Sequence, residues 1–268
     1  MIARYSRMFS TAAVVGAMSC TPALAADLLV APTRLVLGAN EGSEVLLSNK
    51  GAETATYRSS IVLKRMRPDG QTDDIREPTP EQQQLIEMVS FAPRKVTLAP
   101  GQTQTVRVAA RLPAAWPTGE YRVHMLFRAV PSEGTAINAG TGDGVSIALI
   151  PVYGVTIPIV VRKGELDAQV SIKNPRVTRV EGKPIVSLDL ARTGNRSVYG
   201  AIRLFKPGVA GAIAEVRGIA VYNELAQRTV TFAVPDENAG KLTGPVIIRF
   251  TEDGSGGGKA STETIITL

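Results

Sequence analysis

The feature that most restricts this chain is the run Val145 to Arg162, VSIALIPVYGVTIPIVVR. Every odd position from Val145 to Val161 is apolar or aromatic, while the even positions mix Ser146, Thr156 and Arg162 with apolar residues. Side chains two apart share one face of a strand, so the period is that of β structure. A helix is excluded, because Pro151 and Pro158 would each delete a backbone donor. The run also exceeds the usual strand of about 5–6 residues. Its prolines differ in parity, so their missing N–H groups face opposite sides of the strand. Two readings stand: a long strand with one free margin and an apolar stripe that a partner covers, or a long core strand bent by its prolines.

Residues 1–25 read as an export signal. Arg4 and Arg7 precede a small, apolar run from Met8 to Met18, and Ala23-Leu24-Ala25 has the A-x-A form of a cleavage site. Ala17-Met18-Ser19 fits poorly before a lipid-accepting Cys20. No other apolar run reaches the ~18–20 residues of a membrane helix. Val145 to Val161 comes closest and fails on its prolines, its glycine and its period. The expected location is the periplasm. Cys20 is the only cysteine, so the mature chain has neither a disulfide nor a cysteine metal ligand, and packing alone must hold it. Losing the leader's two arginines takes the net charge from +6 to +4. That excess is spread along the chain without a dense basic run, which argues against a nucleic-acid partner. About 240 residues suffice for one large or two ordinary domains.

The texture from Asp27 onward is all-β. Strands are predicted at Leu28 to Leu37 (interrupted by Pro32), Glu44 to Asn49, Thr56 to Met66, Lys95 to Leu98, Thr103 to Val108 and Glu120 to Val130. Pro68-Asp69-Gly70 and Pro100-Gly101 are turns: proline presets φ and glycine supplies a positive one. Asp73 to Glu87 reads mainly as a surface connection, with room for one helical turn at Glu81 to Glu87. Pro131 to Gly144 is a glycine-rich hairpin connection. Short strands with turn signals every 8–15 residues or so indicate an immunoglobulin-like β-sandwich. Lys163-Gly164-Glu165 reads as a linker. The texture then repeats, with strands near Gln169 to Ile172, Ile185 to Leu190, Gly200 to Phe205, Ala214 to Tyr222, Thr229 to Val234, Val246 to Thr251 and Thr262 to Leu268; Gly254 to Gly258 reads as a flexible hairpin tip. The expectation is an all-β chain of two immunoglobulin-like β-sandwich domains, residues 27–163 and 166–268.

The residues of catalysis are missing. His124 is the sole histidine, on the polar face of a strand beside Arg122 and Arg128, and reads as a surface or satisfied core histidine. It has neither a second histidine nor a cysteine for a metal, and nothing like G-x-S-x-G for a triad. Asp73-Asp74 reads as a solvent-facing loop pair, and Lys64, Arg65 and Arg67 as a solvated edge. Gly256-Gly257-Gly258 lacks the G-K-[ST] of a phosphate loop. No enzyme, cofactor, metal or small-molecule substrate is expected.

Four stretches in order carry a resemblance. APTRLVL (Ala31 to Leu37), FAPRKVTLAPGQTQTVRV (Phe91 to Val108), GEYRVHMLFRAVP (Gly119 to Pro131) and the run from Val145 to Arg162 together resemble periplasmic pilus-assembly (fimbrial) chaperones. The likeness covers Asp27 to Arg162, and P-G-x-x-Q-x-V-R is its most specific piece. The second half matches only in length and β texture. The resemblance implies two immunoglobulin-like domains in a boomerang, which cap fimbrial or pilus-like subunits by lending them a strand, and an outer-membrane usher as a further partner. The implied donor stripe is Val145, Ile147 and Leu149, continuing to Pro151 and Tyr153. Arg34 falls on the position of an arginine that binds the subunit's terminal carboxylate; read from the residues alone, it is equally a strand-face arginine paired to an acid. The family's second cation, a lysine, falls on Pro158, which departs from the pattern and leaves Arg162 and Lys163 as nearby cations. The alternative is a secreted two-domain binding or structural protein that shares only the sandwich.

Overall fold

The computed structural model describes residues 28–131, 137–138, 148–149 and 152–268. The leader, most of the glycine-rich connection, and Val145, Ile147 and Pro151 lie outside the described residues; Leu149 is described in its backbone alone. The chain is all-β, built as two sandwiches.

The first strand divides where the sequence interrupts it. β1 (Leu28–Ala31) and β2 (Leu35–Gly38) lie in different sheets, with Pro32, which has no N–H to give, at the crossing. There follow β3 (Gly42–Asn49), β4 (Ala55–Val62), β5 (Lys64–Met66), β6 (Thr72–Asp74), α1 (Pro80–Glu87), β7 (Val89–Ala92), β8 (Lys95–Leu98), β9 (Thr103–Ala110), β10 (Gly119–Val130), β11 (Ile137–Asn138), β12 (Ala148–Leu149) and β13 (Gly154–Lys163). One sheet runs β1-β3-β9-β7 and the other β2-β13-β10-β4-β8. All pairings in both are antiparallel except β13 with β2. Alternation fills the space between the sheets: Val45, Leu47 and Val106 face Val123, Met125, Phe127, Ile157 and Ile159, all without exposed surface or nearly so.

The second sandwich holds β14 (Ala168–Val180), β15 (Lys183–Gly194), β16 (Val198–Phe205), β17 (Ala212–Val221), β18 (Gln227–Ala233), β19 (Pro245–Glu252) and β20 (Ser261–Thr267). Its sheets run β14-β15-β18 and β17-β16-β19-β20 around Leu188, Leu190, Ile202, Leu204, Ile248 and Phe250.

Three readings of polar segments change. The 80–87 segment is a true helix, because Thr79 and Gln82 form a reciprocal capping box and Pro80 starts it. Asp73 and Asp74 lie on a strand rather than in a loop: β5 and β6 form a hairpin in which Asp74 pairs with Lys64 (2.5 Å). The Lys64 to Arg67 cluster is one arm of this hairpin, with Arg65 exposed and Arg67 partly so, and the hairpin docks on the other sandwich. Pro68 O accepts the Thr229 N–H (2.8 Å), Met66 packs on Ala220 and Tyr222, and Met66 N–H donates to Glu224 (3.1 Å).

Gly70 at the hairpin tip is restricted by its backbone and lies against the end of the Arg228 side chain. Its φ of +84° is left-handed, and a Cβ there would fall 2.0 Å from Nε of Arg228 in β18. Gly101 has a comparable φ of +73° with nothing within 4 Å of the added Cβ. Gly101→Ala should cost only the backbone strain of about 1–2 kcal/mol. Gly70→Ala should cost clearly more and raise amide exchange at Thr229. Equal urea midpoints for the two variants would show that the hairpin does not dock as described.

Candidate functional site

Where the sandwiches meet, one buried carboxylate is bonded from both sides. Glu120, near the start of β10, has no exposed side-chain surface. Its Oε2 accepts from Arg162 Nε on the neighbouring strand (3.0 Å), and its Oε1 accepts the backbone N–H of Ser197 from the second sandwich (3.1 Å). Its own carbonyl accepts from Asn223 Nδ2 (3.0 Å). Strand register puts Glu120 opposite Arg162. The loop that presents Ser197 is held by two more arginines: Arg192 donates to the carbonyls of Gly194 and Arg196, and Arg196 grips Glu252 through both nitrogens. Arg162 also donates to the Gly256 carbonyl, so the glycine-rich tip is a contact between the sandwiches rather than a loose turn.

Beside this joint opens a cleft of about 440 Å³, lined among others by Arg34, Lys64, His124, Pro158, Tyr199, Tyr222 and Arg228. Arg34 stands between the crossing and β2, with its guanidinium 4.7 Å from the Tyr199 ring centre. Its Nε and Nη2 are buried and have no hydrogen-bond partner within the protein. These two nitrogens form one edge of the planar fork, the edge that matches a carboxylate with two parallel bonds. Burial lowers the Arg34 pKa below its ordinary value against the pull of Tyr222, and Arg162 adds to the lowering. Glu120 and Asp253 also pull against this lowering.

His124 is neither a surface histidine nor a satisfied one. It is only 4% exposed, and its buried Nδ1 has no partner. The face of β10 read as polar turns toward the second sandwich: Arg122 lies over the Tyr222 ring, 3.6 Å from its centre, and pairs with Glu224. Burial, then Arg122 and Lys64, push the His124 pKa down to about 3, against the opposing pull of Asp74.

The sequence-derived residues distribute unevenly. Arg34 and Pro158 share the cleft. Arg162 is taken by Glu120, and Lys163 Nζ by the carbonyls of Pro113, Ala114 and Trp116 (3.2, 2.7 and 2.6 Å), so neither is a spare cation for Pro158. The long run is two strands, β12 and β13, with Val152 and Tyr153 between them, 39% and 49% exposed. Tyr153 O still accepts from Ala129 N–H (2.8 Å), which carries the β10 pairing one step further. On the opposite margin of β13, β2 pairs only with Ile159 to Arg162, leaving Gly154 to Pro158 paired on the β10 side alone among the described residues. Glu120, Asn223, Glu224, Arg228 and Gly256 were not singled out as site residues, because their partners lie 77 or more residues away for most of them and no local pattern marks such pairs.

No protein-family model matches the chain. No curated protein matches it either. Solved structures similar to it include the CupB2 chaperone of Pseudomonas aeruginosa, at 16% identity over 88% of this chain and 98% of that one, with a TM-score of 0.46. The YadV chaperone is similar at 13% identity over 90% and 100%, with a TM-score of 0.48. A Salmonella enterica complex of the SafA pilin with the SafB chaperone is similar at 15% over 92% and 98%, with a TM-score of 0.42.

Two predictions follow from the joint and the histidine. Removing one partner of a buried ion pair strands the other, so Glu120→Ala should lower stability by about 3–5 kcal/mol in urea unfolding, and a loss below ~1 kcal/mol would exclude the joint as drawn. His124 is neutral in the fold down to about pH 3, while in the unfolded chain it takes up a proton near pH 6.5. Its contribution is thus complete above about pH 6.5 and lost as pH falls toward 3, at roughly 1.4 kcal/mol per unit. His124→Gln should flatten the acid-side decline of the urea midpoint relative to wild type; parallel profiles would refute it.

Proposed function

We propose that this chain is a periplasmic chaperone of fimbrial or other surface-fibre subunits, capping them by donating a β-strand to their incomplete fold, without catalysis or cofactor. The observation that carries this reading is the margin of β13 from Gly154 to Pro158, which pairs with β10 and with no second strand among the described residues. An open strand margin is a template for another chain. It lies within the alternating run, and Val145, Ile147 and Leu149, continuing to Pro151 and Tyr153 just before it, are the side chains proposed to fill the subunit's groove. Three such apolar chains at about 1.5–3 kcal/mol each give several kcal/mol before the costs of association.

The cleft supplies the second contact. The unpartnered Nε–Nη2 edge of Arg34 supports its assignment to the subunit's terminal carboxylate. Residues 27–163 and 166–268 are proposed as the two folding units after removal of residues 1–25, with an outer-membrane usher as the receiving partner. No helix among the described residues is long and apolar enough to cross a membrane.

The test is co-expression with the exported subunits of a neighbouring surface-fibre operon. A subunit should co-purify and be protected from proteolysis. Leu149→Asp places a charge in an apolar groove and should abolish capture while the free chaperone folds normally. Arg34→Ala should weaken capture by about 2–5 kcal/mol, the cost of stranding a desolvated charge at an interface. If both variants retain wild-type affinity for the subunit, neither strand nor cleft is its binding site and the proposal fails.

A further inference from the structure

In the second sandwich, β20 is the last strand of its sheet and pairs with β19 alone among the described residues. Leu268 exchanges both backbone bonds with Gly244 (2.8 and 3.0 Å), and the Ala260 carbonyl accepts from Glu252 N–H (2.9 Å), so the even-numbered residues face β19. Alternation then turns the N–H and C=O of Glu263, Ile265 and Thr267 outward along the free margin. β14 belongs to the opposite sheet and does not close this margin, since even the inward side chains Thr262, Thr264 and Ile266 keep some exposure. Edge strands are normally guarded by lysine, proline or a bulge. β20, with the sequence STETIIT, has none of these, and its one charge, Glu263, is engaged by Arg249 on the neighbouring strand (2.9 Å).

The solvent face of the sheet leads to the same margin. Phe205, Ile247 and Ile265 lie opposite one another across β16, β19 and β20, and this apolar row ends at the edge, where Ile265 is 63% exposed. Beside it runs a row of charges, Glu215, Arg203, Arg249 and Glu263, closed by an ion pair at each end (2.7 and 2.9 Å). We infer that β20 is a contact between two copies of this chain, pairing antiparallel with β20 of the second copy about a two-fold axis at Ile265. The strand is complementary to itself in this register and not in the adjacent ones. Pairing about Glu263 would set like charges directly opposite, and pairing about Thr264 would set Glu263 against the partner's Ile265. Pairing about Ile265 places each Glu263 opposite the partner's Thr267. It exchanges two backbone bonds between the isoleucines and joins the two apolar rows into one across an eight-stranded sheet. The contact uses the second sandwich alone, so it stands or falls apart from the chaperone reading.

One strand pair buries less than the ~1,200 Å² of most stable interfaces, so the dimer is expected to depend on concentration. Sedimentation equilibrium of the chain without residues 1–25, from about 1 μM to about 1 mM, should show the weight-average mass rising toward twice the monomer value. Ile265→Lys, at an exposed position, should hold the mass at the monomer value with an unchanged urea midpoint. Cross-linking reads the register, because without residues 1–25 the chain has no cysteine of its own. About the axis at Ile265, the two copies of residue 265 have Cα atoms ~5.5 Å apart, within disulfide reach, and the two copies of residue 263 lie about 14 Å apart, outside it. Ile265→Cys should therefore oxidise to a disulfide dimer roughly tenfold or more faster than Glu263→Cys. A mass that stays at the monomer value across the range, a dimer that survives Ile265→Lys, or equal cross-linking of the two cysteine variants would overturn the inference.

Discussion

The burial of one carboxylate, Glu120, is the constraint on which the meeting of the two sandwiches depends. A carboxylate with no exposed surface is tolerated only when its oxygens are bonded, and here one oxygen is served by each sandwich. Separating the sandwiches would leave Arg162 paired but would strand Oε1 and the Ser197 N–H. The penalty falls on any displacement, so the joint specifies an orientation as well as a contact. The arginines around it serve the same end. Arg192 and Arg196 are buried donors that shape the 194–197 turn, and the Ser197 amide is presented as a consequence.

The hairpin of β5 and β6 reinforces that orientation by a different force. It offers a backbone carbonyl to β18, an apolar side chain to Ala220 and Tyr222, and a glycine surface to Arg228. The cleft beside it is the reverse case. Arg34, His124 and Arg228 each keep a buried nitrogen without a partner, a local departure from the rule that buried polar groups are satisfied. Such departures reduce stability, and the well-packed cores on either side offset them.

The strand at the centre of the proposed function is divided by its pairing. From Ile159 to Arg162, β13 has β10 on one side and β2 on the other, and belongs to the core sheet. From Gly154 to Pro158 it has no second neighbour among the described residues, because the chain that forms β2 has crossed into the other sheet as β1. The crossing at Pro32 and the open margin are thus two consequences of one event. A single continuous strand from Leu28 to Leu37 would stay in one sheet and lose this division.

Alternation, turn chemistry and proline placement were legible along the chain, and they suffice for the class. Local signals mark most strands of both sandwiches but miss β6 and β7 and read β4 and β5 as one strand, and the period-two pattern of the Val145 to Arg162 run marks it as β whatever its surroundings. The same local reading placed Arg34 on a strand, whereas it stands just before β2. It misjudged groups whose environment comes from elsewhere in the chain. His124 alternates with arginines and so looks exposed, but its face is covered by Tyr222 of the second sandwich. Asp73 and Asp74 look like loop carboxylates, but a hairpin with Lys64 makes them strand residues. Sequence determines which residues alternate, because that depends on neighbours two positions away. Only tertiary structure decides which charges are buried and which cations share a cleft, because burial and Coulomb interactions depend on distance in space, and Arg34 and Arg228 come together only when two separately built sandwiches are locked at one angle.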